Sequence, residues 1–225
     1  MNKELTRFLI KTQKKNLSEI ELIEYLYLYV RDEIKFDFLP EMDDLSADEV
    51  FKRKLGQCNN KTVLLFNMLK FFKLKVGAHF STIDREIHRG FFPAWLLVFT
   101  PKEIGHSWIE VEVNGKAVIL DGYINDQELY RGARIVNRYK EWETGHSVAE
   151  GECGSSSEFS LEGNNFVQMS AVKKDLGVTT QPLEYLRSSK NPNQVNLIKK
   201  FFYRLALSGM RRRVLKVRRL GEVIL

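Results

Sequence analysis

Cysteine is almost missing from this chain, with 2 in 225 residues. That is too few for a disulfide framework, so the expectation is a reducing compartment rather than secretion. Proline (5) and glycine (14) are sparse as well, which excludes collagen-like and low-complexity architectures. A 44% hydrophobic and 28% charged composition excludes disorder of the whole. No apolar run approaches the roughly 18 residues of a membrane span, the longest being stretches such as 91–99. The opening Met-Asn-Lys-Glu-Leu-Thr-Arg is charged and leads into no signal-type apolar block. A soluble cytoplasmic protein without a transmembrane segment is therefore expected. One stretch is strongly basic: 199–219 carries nine basic side chains and no Asp or Glu. The formal charge of +6 belongs to that C-terminal stretch, while the remainder is near balance.

What is present begins as helix. Residues 18–34 space Ile20, Leu22, Ile23, Leu26, Leu28, Val30 and Ile34 at threes and fours, with Ser18 as N-cap before Glu21. The segment 35–40 leaves the helix ahead of Pro40. A short helix is predicted over 46–54, broken at Gly56, and a long apolar one over 58–72. Beyond Lys75 the texture changes to short β-branched and aromatic runs at 76–83, 94–99, 107–113 and 117–120, all read as strands. Asn114-Gly115 between the last two is a type I′ hairpin signal, because that turn needs φ > 0 at both positions. Residues 145–165 are rich in Gly, Ser and Glu and predict a mobile excursion; 193–220 returns to basic helix. Helices first and antiparallel strands second define an α+β fold.

Three segments bear on chemistry. Cys58, in Gly56-Gln57-Cys58, opens the central helix, where unpaired backbone N–H groups and the positive end of the dipole favour thiolate. Gly56 allows a tight turn into that helix. Taken alone, Cys58 reads first as a small buried apolar residue, which is what most lone cysteines are. Counting back from the turn pairs Val113 with Lys116 and Trp108 with Asp121, so the period of two places His106, Trp108 and Asp121 on one face. Asp121 lies diagonal to His106, near enough for a carboxylate to orient the imidazole. Ile109, Val111, Val118 and Leu120 form the opposite, core face. A helix-start cysteine with a His and an Asp on one hairpin face is the inventory of an activated nucleophile. Trp108 is read as a shield for the His–Asp pair or as simple sheet packing.

These residues resemble the transglutaminase-like superfamily of papain-like thiol enzymes. Gly-Gln-Cys at the head of an apolar helix, His106-Ser-Trp-Ile-Glu-Val-Glu-Val113, and a strand ending Leu120-Asp121 follow that family's motifs in its order. Residues 29–36 are similar to its lead-in helix, and 74–78 to the strand entry after the cysteine helix. The resemblance covers about residues 20–125 and implies Cys58, His106 and Asp121 as catalytic residues. The expected architecture is a papain-like core: N-terminal helices, a central Cys-bearing helix packed on an antiparallel sheet, and a C-terminal basic helix. The chain divides into a transglutaminase-like domain at 1–190 and a basic helical tail at 191–225. The implied activity is that of a cysteine protease, hydrolase or acyltransferase working on amide bonds of a protein or peptide through a thioester. The alternative is an inactive member of the fold serving as a binding or scaffolding module. Asn59-Asn60-Lys61 departs from the acidic or aromatic residues many relatives carry there. The backbone N–H of Cys58 is one oxyanion donor, and Gln57 is the candidate for the second.

No metal or organic cofactor is implied. His79, His88 and His146 lack the paired spacing of a zinc site, and Cys153, among flexible residues, reads as an inert exposed thiol. The tail admits two readings. It is either a basic amphipathic helix for nucleic acid or an anionic membrane surface, or a helix docked on the body with its charges solvated, and the second is the expectation.

Overall fold

A computed structural model describes residues 2–152, 154–162 and 165–223; Cys153, and part of the expected 145–165 excursion, lie outside them. The chain begins with α1 (Lys3–Gln13) and α2 (Glu19–Asp32). Ser18 caps α2 in a reciprocal box: its hydroxyl accepts from the Glu21 backbone N–H, and Glu21 accepts from the Ser18 N–H at 2.8 Å. The same device, Ser46 with Glu49, starts α3 (Ala47–Arg53). Between these helices, β1 (Lys35–Phe36) pairs in parallel with β2 (Leu55–Gly56). That short ladder delivers the chain to α4 (Cys58–Phe71), which is buried on every side through Val63, Leu64, Leu65, Phe66, Met68 and Leu69.

β3 (Val76–Asp84), β4 (Glu103–Val113) and β5 (Lys116–Leu120) follow, with α5 (Ala94–Phe99) between the first two. After β5 come α6 (Gln127–Tyr139), the small hairpin of β6 (Thr144–Gly145) and β7 (Val148–Ala149), then β8 (Val172–Thr179), α7 (Pro182–Arg187) and α8 (Leu197–Glu222). The main sheet has the order β5-β4-β3-β8 with every pairing antiparallel, so the fold is α+β. Its register is the one the hairpin dictates. Val113 faces Lys116 and Ile109 faces Leu120, with Asn114 and Gly115 at φ of 51° and 77°.

Two expectations are corrected, and one strand is added. Residues 94–99 form a helix, not a strand. A six-residue apolar run carries no decisive period, and Pro93 ahead of it supplies a fixed φ suited to a helix start. The remaining sheet position belongs to β8, an edge strand whose side chains are mostly exposed and which bulges near Gly177 at φ 88°. Residues 145–149 of the expected excursion are buried in the β6–β7 hairpin. The described residues just beyond are pinned, Arg31 and Tyr27 both donating to the Ser157 carbonyl at 2.8 and 2.9 Å.

The basic tail docks. α8 contributes Tyr203, Ala206, Met210, Val214 and Val217 to the main core. It crosses α6 where Gly132 meets Gly221. A Cβ on Gly132 would stand 1.9 Å from the Val217 carbonyl oxygen, and one on Gly221 1.8 Å from that of Glu128. Beside this crossing Arg218 grips Asp126 with two hydrogen bonds of 2.8 Å and donates to the Phe36 carbonyl. Burial opposes the Asp126 charge, but Arg218 outweighs it and holds the carboxyl down at about 2. Arg211 likewise reaches Asp37 at 2.6 Å.

Candidate active site

The first turn of α4 is fixed by polar contacts on all sides. Asn60 caps it, accepting from the Gln57 N–H at 3.0 Å and donating to the Met42 carbonyl at 3.1 Å. Asn59 donates to Asp43 at 3.0 Å and accepts from the Ser107 hydroxyl at 2.8 Å, tying the helix to β4. Thr62 meets the Ser107 carbonyl and the Tyr123 hydroxyl. Lys61 is wholly buried, its ammonium donating to the carbonyls of Arg31 and Ile124 at 3.1 and 2.9 Å. Burial drives Lys61 down to about 7, against the pull of Asp126. Asn59-Asn60-Lys61, which the sequence offers only as a departure from the family pattern, is thus the lock that aims Cys58. Polar types at the head of a buried helix were the available signal.

Gly56 serves space rather than conformation, since its φ is not positive. A Cβ there would press Asn60 Cβ and Lys61 Cγ at 3.2 Å and Val50 Cγ1 at 3.3 Å. Gly56→Ala is expected to cost on the order of 1 kcal/mol by overpacking. Urea denaturation reads this, and an unmoved midpoint would mean that the neighbours yield freely.

Cys58 is half-buried, with Sγ 3.7 Å from Asn59 Oδ1. His106 on β4 and Asp121 just past β5 are both 0% exposed. His106 Nε2 lies 3.1 and 3.2 Å from the two Asp121 oxygens. Its other nitrogen, Nδ1, is buried without a hydrogen bond of good geometry, and the Cys58 sulfur is close enough to act on the ring. Burial disfavours the imidazolium, but Asp121 and then Cys58 more than reverse that and push His106 up to about 10. The structure thus pairs His106 with Asp121, which the hairpin count put on one face, and sets the Cys58 sulfur beside the ring.

Trp108 is buried between two imidazoles. It stacks on His79 at 4.3 Å between ring centres and tilts against His106 at 5.9 Å. His79 in turn is held by Glu110 and Asp175. Gln57 lines the same small cavity as Cys58 and His106, about 30 Å³ in volume, and its amide nitrogen is buried without a hydrogen bond of good geometry. Among the described residues no group of three or more His, Cys, Asp or Glu is arranged to hold a metal ion, and no helix is long and apolar enough to cross a membrane.

Sequence reasoning missed Asp43, a buried carboxylate whose Oδ2 accepts from Asn59, Asn191 and Asn193 at 3.0, 3.2 and 2.9 Å. Burial raises its proton affinity against those three donors. Its loop position, in Met42-Asp43-Asp44, carried no local signal, because two of its partners come from beyond residue 190.

A cysteine heading a buried helix, set against a carboxylate-held imidazole on an antiparallel hairpin, defines a thiol-centred α+β fold. The chain belongs to the transglutaminase-like superfamily: the family's core model matches residues 4–122. Its members are usually cysteine-based enzymes, and inactive ones are included. No curated protein matches the chain.

Proposed function

We propose that this protein is a cysteine enzyme that attacks amide carbonyls and passes the acyl group to water or to an amine. The observation that carries the reading is the division of labour at His106. Nε2 is taken by Asp121, which leaves buried, unpaired Nδ1 beside the half-buried Cys58 thiol. The thiolate adds to the carbonyl carbon, forming the C–S bond. As the C–N bond breaks, imidazolium gives its proton to the departing nitrogen. Water or an amine then adds to the thioester, surrenders a proton to His106, and expels sulfur as thiolate. The oxyanion is received by the backbone N–H of Cys58, which as the first helical residue has no intrahelical partner, and by the side-chain amide nitrogen of Gln57, which lacks a hydrogen bond of good geometry. Trp108 keeps water from the His106–Asp121 pair. The layering of α4 on the antiparallel sheet is read as papain-like, and a free catalytic thiol suits a reducing, cytoplasmic setting.

The test is alkylation by iodoacetamide at pH 7, followed by peptide mass spectrometry, which separates Cys58 from Cys153. Cys58 is expected to react fast, and His106→Ala to slow it by about 10²-fold. Equal, slow labelling of Cys58 with and without His106 would sink the enzymatic reading and favour an inactive, binding member of the superfamily.

A further inference from the structure

A second cavity, about 390 Å³ in volume, adjoins the small one. This is the size of a pocket that encloses a small-molecule group, roughly 300–1,000 Å³. Its far walls are apolar and come from α5 and the start of α8: Trp95, Leu96, Phe99, Ile198 and Phe202. Trp95 and Phe202 meet edge to face at 6.3 Å and are 44% and 46% exposed, so their rings remain open to the cleft. α8 lies beyond the family match at 4–122.

The two cavities share walls. Asp43, Gln57, His88, Ile104 and Asn193 line both, whereas Cys58 and His106 line only the small one. A group filling the large cleft therefore ends against the nucleophile, on the Gln57 side. The side matters chemically. A leaving amine must face His106 to receive its proton, so a substituent directed past Gln57 belongs to the other side of the carbonyl. The passage also carries polar groups: Asp43 is held in place by Asn59, Asn191 and Asn193, and Lys199 lines the large cleft. His88 stacks on Phe92 and is kept uncharged at neutral pH by burial, which lowers it to about 4.

We propose that the cleft between α5 and the start of α8 is the acyl-side subsite of Cys58 and takes a large, uncharged, apolar substituent of the attacked carbonyl, such as an aromatic ring or a hydrocarbon chain. This rests on the thiol-enzyme reading above and adds the class of acyl group.

The first experiment measures burst acylation of the protein by p-nitrophenyl acetate and by p-nitrophenyl 3-phenylpropanoate. Here the Cys58–carbonyl bond forms as p-nitrophenolate leaves, and the thioester is located by peptide mass. The phenylpropanoate is expected to react at least about tenfold faster than the acetate, and Trp95→Ser or Phe202→Ser to bring that ratio close to one. Equal rates for the two esters in the unaltered protein would overturn the subsite and leave the enzymatic reading standing. The second experiment needs no chemistry: titration of Cys58→Ala protein with 3-phenylpropanamide, followed by NMR. Saturable binding that Trp95→Ser weakens supports the cleft, and if no ester acylates Cys58 in the first experiment, only the enzymatic reading falls. Absence of binding overturns the cleft, as does a dimer in solution that Trp95→Ser dissociates, since the apolar walls would then belong to a second copy.

Discussion

Asp121→Asn is expected to lower acylation of Cys58 at neutral pH by about 10³–10⁴-fold while leaving the fold intact. The substitution keeps the shape of the side chain but removes the charge that faces His106 Nε2 at 3.1 Å. Two consequences follow at the ring. The imidazolium loses its main stabiliser in a site that burial already makes hostile to charge. An amide nitrogen also lets the other tautomer form, which turns the proton-bearing face toward sulfur. A purely structural role for Asp121 would lower rate and stability together at every pH. A positioning role shifts the pH profile: the unaltered protein keeps most of its iodoacetamide reactivity at pH 6.5, and Asp121→Asn recovers reactivity only on going to pH 9. Parallel profiles for the two proteins would remove Asp121 from the mechanism.

That prediction was within reach of the sequence, and the reason is local. Asn114-Gly115 demands one turn type, the turn imposes one register, and the register puts His106 and Asp121 on one face without any knowledge of the rest. Helix capping was legible for the same reason, since Ser18 with Glu21 is a four-residue device. What escaped depends on partners distant in the chain. Residues 94–99 became helix within a groove shared with α8, where neither period nor β propensity decides. β8 is an exposed edge strand and so lacks the alternation by which strands are recognised. α6 and α8 approach through Gly132 and Gly221, 89 positions apart in the numbering, and no local pattern announces a contact of that kind. Arg218 and Arg211 look like part of a solvated charge run until Asp126 and Asp37 are seen beneath them. The candidate site followed the same division. Its reacting groups sit on one hairpin and one helix start, whereas Asp43 and its amides assemble from residues 43, 59, 191 and 193.

The buried pair Lys61 and His106 is expected to produce opposing pH dependences of stability that cancel in the intact protein. His106 is raised from 6.5 to about 10 in the fold. Its contribution is therefore fully present below pH 6.5 and is lost as pH rises through about 10. Lys61 is lowered from 10.5 to about 7. Its penalty is fully present below pH 7 and is relieved as pH rises towards 10.5, because only the unfolded chain still binds that proton. At about 1.4 kcal/mol per tenfold change in proton affinity, each group commands on the order of 4 kcal/mol across its whole range. Between pH 7 and 9 the slopes oppose, and the unfolding free energy from urea titration should be nearly level. His106→Gln removes one slope, so stability then rises over this interval by on the order of 2 kcal/mol. Lys61→Met removes the other, so stability falls by a similar amount, whatever the variant's absolute stability after losing its bonds to Arg31 and Ile124. Measuring both with Cys58 intact keeps the thiol's contribution to His106, and a parallel Cys58→Ser series takes out the titration of the unfolded thiol. Level profiles in both variants would mean that neither side chain changes its proton affinity on folding. That result would undo the electrostatic description of the helix start and of the imidazole it faces.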